Sequence, residues 1–142
     1  VTLRPSIIYG PGLGLGSRMF LSQAVKALLK GEKFEMTKGE QTREFVHVDD
    51  VVEACIVVAN ASNIGGQVFN VGSGYEIPMV DVARMIYGDS PLLQVGAKPY
   101  RAKELWRYVL GTDKLKKFGW KPKVDLETGI KEYINWAKKQ NL

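Results

Sequence analysis

Residues 42–52, with the sequence TREFVHVDDVV, contain a short strand, a corner and the start of a helix. Residues 45–48 mix apolar and polar positions and are interpreted as a short strand. Asp49 or Asp50 is the expected cap of the helix that follows. Open α/β sheets usually bind their ligands at such a strand-to-helix corner. The stretch therefore predicts an α/β fold with a ligand site close to Arg43.

The rest of the chain alternates between the two kinds of element. Strands are predicted at 1–9, 34–36, 67–72 and 92–95, and helices at 17–30, 50–59, 79–87, 113–118 and 125–137. Ser17 and Asp125 are the expected caps of their helices. Pro5 indicates an edge, a bulge or a break in the first strand, because proline donates no backbone hydrogen bond. This alternation predicts a mainly parallel sheet.

Length and composition are those of one ordinary globular domain. The 142 residues are 45% hydrophobic and 25% charged, and no apolar run reaches the roughly 18 residues of a membrane span. The single cysteine, Cys55, cannot form an internal disulfide, which favours a reducing, cytoplasmic setting. One His and one Cys do not provide a dedicated metal site of the His/Cys type.

Positive charge is concentrated between Lys98 and Lys123, where nine Lys and Arg face only Glu104 and Asp113. Such a segment could bind phosphates or nucleic acid, or it could be a solvated surface. No nucleic-acid recognition motif accompanies these lysines, so we interpret them as surface residues.

The glycine-rich run Gly12–Ser17 (GLGLGS) superficially suggests a dinucleotide-binding loop. It lacks the G-x-G-x-x-G spacing, and no ribose-binding acid follows at the usual distance. We therefore interpret it as a flexible loop.

The chain begins in strand pattern and without Met, which predicts a fragment of a longer protein.

TREFVHVDDVV resembles the "tRdfvHVdDva" segment of extended short-chain dehydrogenases/reductases, the NAD-dependent nucleotide-sugar epimerases and dehydratases. Further segments resemble the same family in the same order, so that the similarity covers nearly the whole chain: 3–12 ("lRpfnvYGPgq"), 69–74 ("yNiGsG"), 112–123 ("dtsKakkeLGwkPk") and 125–130 ("sleeGi"). The resemblance implies that residues 1–142 are the C-terminal substrate-binding portion of such an enzyme, an incomplete Rossmann-type fold.

The resemblance assigns two arginines to the substrate. Arg43 and Arg101, the latter where the family has "RpGd", correspond to residues that hold the nucleotide diphosphate. A planar guanidinium suits this role because it can grip phosphate oxygens bidentately. The alternatives are a surface ion pair with Glu44 or Asp49 for Arg43, and an exposed surface arginine for Arg101.

Four further positions receive roles from the resemblance. Phe34 and Met36 correspond to the strand that packs against the nucleotide base, although ordinary core packing is equally compatible. Pro5 corresponds to the residue beside the nicotinamide ring, or is simply an edge proline. Ile7 stands at the substrate-binding position where the family has an asparagine that bonds the substrate phosphate, which Ile cannot do. The substrate therefore differs from the usual one, or a neighbouring group replaces the asparagine.

Two further side chains, His47 and Cys55, are expected to have structural roles only. His47 lies between two valines and is assigned a structural role, while Cys55 is expected in the apolar core. The family's Tyr-x-x-x-Lys pair and its glycine-rich NAD loop are absent from these residues. No catalytic residue is therefore predicted here: the segment alone should be inactive, and NAD would be bound mainly by a preceding N-terminal part.

The resulting prediction is the nucleotide-sugar-binding part of a UDP-glucose 4-epimerase-like enzyme that uses NAD. The parent protein is expected to be a homodimer, without nucleic-acid or membrane partners. Two alternatives remain open: an NAD(P)-dependent reductase of a small carbonyl compound on the same scaffold, and a non-catalytic nucleotide-binding module.

Overall fold

The computed structural model describes residues 1–140. Its strands are β1 (Thr2–Pro5), β2 (Ile7–Tyr9), β3 (Phe34–Met36), β4 (Thr42–Arg43), β5 (Phe45–His47), β6 (Val68–Val71), β7 (Ile77–Pro78) and β8 (Leu93–Val95). Its helices are α1 (Phe20–Leu29), α2 (Val48–Asn60), α3 (Met79–Tyr87), α4 (Asp113–Lys116) and α5 (Leu126–Ala137). The predicted α/β alternation is confirmed.

The predicted first strand is divided at Ser6 into β1 and β2, and the two halves have different partners. β1 pairs in parallel with β6, whereas β2 pairs in parallel with β5. The exchange comes directly after Pro5, and the Ser6 amide still donates to the Val71 carbonyl at 2.9 Å. A third parallel pair joins β3 and β8, while β4 and β7 are antiparallel. The pairing is therefore mainly parallel, as predicted.

The N-cap of helix α2 is a different residue from the one expected. His47 is the N-cap, and its Nδ1 accepts a hydrogen bond from the Asp49 amide at 3.3 Å. The prediction of Asp49 or Asp50 was wrong because the histidine before them already provides an acceptor. Asp50 is instead buried and accepts from the amides of Lys123 and Val124, at 2.8 and 3.2 Å.

A second buried carboxylate, Glu44, joins three distant parts of the chain. It lies between β4 and β5, is fully buried, and accepts from the amides of Gly74 at 2.6 Å and Leu110 at 2.9 Å. Gly72 packs directly against it, because a Cβ there would lie 2.5 Å from the Glu44 carboxylate. Only glycine allows so close an approach of backbone to carboxylate.

Two apolar clusters pack on opposite sides of β5. Phe45 belongs to the first cluster, which joins α1, α3 and α5 through residues such as Val25, Val82 and Ile130. Val46 belongs to the second, which joins α2, α4 and β6 around Trp120. Successive strand residues point to opposite faces, so one short strand serves both clusters.

Three local predictions differ from the structure. Cys55 is exposed, not in the core, because it lies on the outward face of α2 beside Ile56. Ser17 does not cap a helix: α1 begins at Phe20 after Met19, and the Ser17 hydroxyl accepts from the Met19 amide in a local turn. The fourth helix ends at Lys116, two residues earlier than expected.

The helices of residues 1–140 are all too short or too polar to span a membrane. The same residues contain no convergent group of three His, Cys, Asp or Glu side chains.

We expect Glu44→Gln to lower the free energy of unfolding by about 2–4 kcal/mol, because the amide group would turn an N–H toward a buried backbone donor. Glu53→Gln is the control, since Glu53 forms an exposed ion pair with Lys123. Urea unfolding followed by circular dichroism measures both variants. Equal stability of Glu44→Gln and wild type would contradict the bridging role of Glu44.

Deprotonation of Tyr87 should lower the free energy of unfolding at high pH. Its hydroxyl donates to the Ala24 carbonyl at 2.8 Å, and burial raises the pKa of Tyr87 to about 12, from 10.0. The raised pKa means that stability from this group is complete below pH 10 and is lost as pH rises toward 12. Tyr87→Phe should be less stable at pH 7 but should lose less stability between pH 10 and 12, as measured by thermal melts. Parallel pH profiles for the two proteins would contradict this.

Candidate functional site

A cavity of about 470 Å³ opens between the start of α1, strand β3, the β4–β5 stretch and residues 98–104. Its lining includes all five residues predicted to bind substrate, which are separated widely in sequence: Ile7, Phe34, Met36, Arg43 and Arg101. Their roles stay predictions, but the fold brings them to one place.

One wall of the cavity is aromatic and rigid. The Phe34 ring stacks on Tyr87 with centroids 5.9 Å apart, and it meets the edge of Phe20 at 5.4 Å. Met36 is buried beside it. Because Phe34 is fixed from two sides and remains partly accessible, it offers a preformed apolar surface to a flat ligand group.

Ionisable side chains surround the rest of the cavity. The cations are Arg43, Arg101 and Lys98, and the carboxylates are Glu35 and Glu104. Within residues 1–140, neither Arg101 nor Lys98 forms an ion pair, whereas Arg43 does. The cavity therefore carries a net positive charge, which favours an anionic ligand.

Arg43 is held by three acceptors. Its Nη1 donates to the Thr42 carbonyl at 2.7 Å and to the Leu105 carbonyl at 2.5 Å, and its Nη2 donates to Glu104 Oε1 at 2.7 Å. The alternative partners considered for Arg43, Glu44 and Asp49, are not those observed, because Glu44 points inward to backbone amides. Arg43 thus attaches the irregular segment 98–110 to β4.

Pro5 lies apart from this cavity, at the end of β1. The glycine loop after β2 also offers no close approach: a Cβ on Gly12, Gly14 or Gly16 would meet nothing within 4 Å. The lack of G-x-G-x-x-G spacing remains the argument against a dinucleotide-binding loop here. Pro5 is the one contact to NAD that was predicted among residues 1–140, and that role stays a prediction.

Two features of the site escaped the sequence analysis. Glu104 is the partner of Arg43, and Glu44 holds the ends of the surrounding loops. Glu104 follows Arg101 by three residues in an irregular segment, so no periodicity could indicate its direction. Glu44 had a usable signal, since a carboxylate directly before a buried strand requires hydrogen-bond donors. His47 is fully buried and caps α2, a structural position of the kind that was predicted.

Known proteins share this sequence and fold. Residues 1–72 match the NAD dependent epimerase/dehydratase family. The chain is 32% identical to a putative UDP-glucose 4-epimerase of Methanocaldococcus jannaschii, covering 98% of this chain and 46% of that protein. It is also 32% identical to the CDP-abequose synthase of Salmonella typhimurium, covering 94% and 47%.

A solved structure agrees with the sequence matches. The UDP-glucose 4-epimerase of Thermotoga maritima, solved with UDP-glucose, superposes with a TM-score of 0.83 at 28% identity, covering 96% of this chain and 45% of that one. The chain spans about half the length of the relatives it matches. With a family match over its first half and relatives aligned over nearly all of it, the chain belongs to the NAD dependent epimerase/dehydratase family.

Proposed function

We propose that residues 1–142 form the substrate-binding portion of an NAD-dependent nucleotide-sugar epimerase or dehydratase, with a UDP-hexose as the leading substrate. The observation that carries this proposal is a cavity in which an aromatic wall stands beside Arg101 and Lys98, two cations that form no ion pair within residues 1–140. The relatives named for UDP-glucose and CDP-abequose chemistry support a nucleotide diphosphate sugar as the ligand class.

The cavity has the size and polarity that such a ligand needs. Its volume of about 470 Å³ lies within the range of small-molecule sites, about 300–1,000 Å³. In the proposed pose the base lies against Phe34 and Met36, and the diphosphate lies between Arg43 and Arg101. Lys98 adds a third positive charge at the rim. Concentrated phosphate charge is best held by such planar or mobile cations.

The chemistry of the whole protein is also part of the proposal. NAD would accept and return a hydride, and the acid–base residues would come from parts of the enzyme outside this sequence. Pro5 would lie beside the nicotinamide. A homodimeric, cytoplasmic parent enzyme remains our expectation.

A second candidate function is an NAD(P)-dependent reductase of a small carbonyl compound. Ile7 favours it, because an apolar side chain lines the cavity where a phosphate-binding asparagine was expected. The cations favour the nucleotide sugar, since a small neutral substrate has no use for Arg101 and Lys98. Comparing UDP-glucose with simple ketones as substrates separates the two functions.

Arg101→Ala and Arg43→Ala should each weaken UDP-glucose binding by about 1.5–3 kcal/mol, the scale of a hydrogen bond between charged groups. Titration calorimetry on the complete protein measures the change. Arg84→Ala is the matched control, because Arg84 is exposed on α3, outside the cavity, and forms an ion pair with Asp81 at 3.5 Å. If both cavity variants bind UDP-glucose as tightly as the control, the diphosphate assignment fails.

A further inference from the structure

A second cavity, of about 490 Å³, lies between the glycine-rich loop after β2, the end of α1 and the end of α5. We call it the loop groove, and the side chains that line it include Leu15, Lys26, Lys30 and Trp136. It shares no residue with the proposed substrate cavity, which the start of α1 lines. The two cavities thus lie at different ends of the same helix, and the proposed function makes no use of the second.

Two lysines give the loop groove its charge. Lys26 and Lys30 are four residues apart, so they lie on the same side of α1. Within residues 1–140, neither ammonium pairs with a carboxylate, and no Asp or Glu lines the groove. The C-terminal end of α1 attracts both cations but contains no carboxylate to neutralise them. Because Lys26 is also half-buried, an anion in the groove would offset the cost of desolvating its charge.

Trp136 forms an aromatic wall of the loop groove that is fixed in advance. Its ring stacks on Tyr133, with 5.7 Å between centroids and 11° between planes. The Tyr133 hydroxyl in turn donates to the Leu13 carbonyl at 3.2 Å and lies 3.1 Å from Ser22 Oγ. Trp136 remains partly accessible, so a flat ring can lie against it without rearrangement of the protein.

The glycine-rich loop forms the rim of the groove. A Cβ on Gly12, Gly14 or Gly16 would meet nothing within 4 Å, and only Gly12 among them has a positive φ, of 88°. Close packing within the described chain therefore does not explain Gly14 and Gly16. The loop is anchored between them, because Leu15 is buried. Three positions without side chains thus keep the rim low and the groove open.

We propose that the loop groove is a second binding site, for a ligand that joins a flat aromatic ring to a phosphate, such as a nucleoside monophosphate. The ring lies on Trp136, and the phosphate lies between Lys26 and Lys30. Stacking of a base on an aromatic side chain and attraction of phosphate to cations together bind nucleotides without reading the identity of the base. The site is independent of the proposed function, since none of its residues lines the substrate cavity.

The test is binding of AMP to the complete protein, measured by calorimetry with saturating NAD and UDP so that AMP does not compete for the sites proposed for them. Lys26→Met and Lys30→Met remove the charge and keep an unbranched aliphatic side chain. Each should weaken AMP binding about three- to tenfold, as expected for partly screened charges. Lys33→Met is the matched control, because Lys33 is exposed just after α1 and does not line the groove.

Tryptophan fluorescence locates the aromatic ring of the ligand. AMP should change the emission of wild type, because its base stacks on Trp136. The change should disappear in Trp136→Phe, which keeps a ring for stacking, since Trp106 and Trp120 lie outside the groove. Circular dichroism confirms that each variant is folded.

Four results would overturn the proposal. The first is that wild type does not bind AMP, and the second is that Lys26→Met and Lys30→Met bind it as tightly as Lys33→Met. The third is a fluorescence change that persists in Trp136→Phe, because the ring would then lie elsewhere. The fourth is inorganic phosphate binding as tightly as AMP, which would indicate a site for simple anions without recognition of a ring.

Discussion

The buried carboxylate of Glu44 is the interaction on which the arrangement of the site depends. It binds the amides of Gly74 and Leu110 at 2.6 and 2.9 Å, and so fixes both the loop after β6 and the end of segment 98–110. An unpaired carboxylate at this depth would be strongly destabilising, so these loops must close around it for the chain to fold. The requirement for satisfied hydrogen bonds in the core thus helps to position segment 98–110, the first part of which lines the cavity.

The short stretch 42–52 distributes its side chains in several directions and so organises the whole chain. Arg43 points to the cavity and Glu44 to the loop amides, while Phe45 and Val46 enter opposite apolar clusters. Asp50 has a similar role to Glu44, because its buried carboxylate accepts hydrogen bonds from the amides of Lys123 and Val124. Two buried carboxylates of one segment therefore hold the irregular C-terminal parts of the structure, where few backbone hydrogen bonds are available.

Periodicity and turn chemistry predicted the fold well, and failed where a contact distant in sequence decides the outcome. Helix α3 and strand β3 have the expected bounds, because apolar spacing alone determines them. The cap at His47 and the exposure of Cys55 were missed: the first depends on which of several acceptors meets the amide, and the second on which helix face the sheet covers. The resemblance selected five residues that the fold gathers in one cavity, but it gave no sign that Glu104 would occupy Arg43.

The proposed function requires that this cavity bind the nucleotide diphosphate of a sugar substrate. The most direct measurement is a crystal structure of the complete protein with UDP. We expect density for the two phosphates within hydrogen-bond distance of Arg101 and Arg43, with the base against Phe34. Density for UDP at another site would contradict the proposed binding cavity.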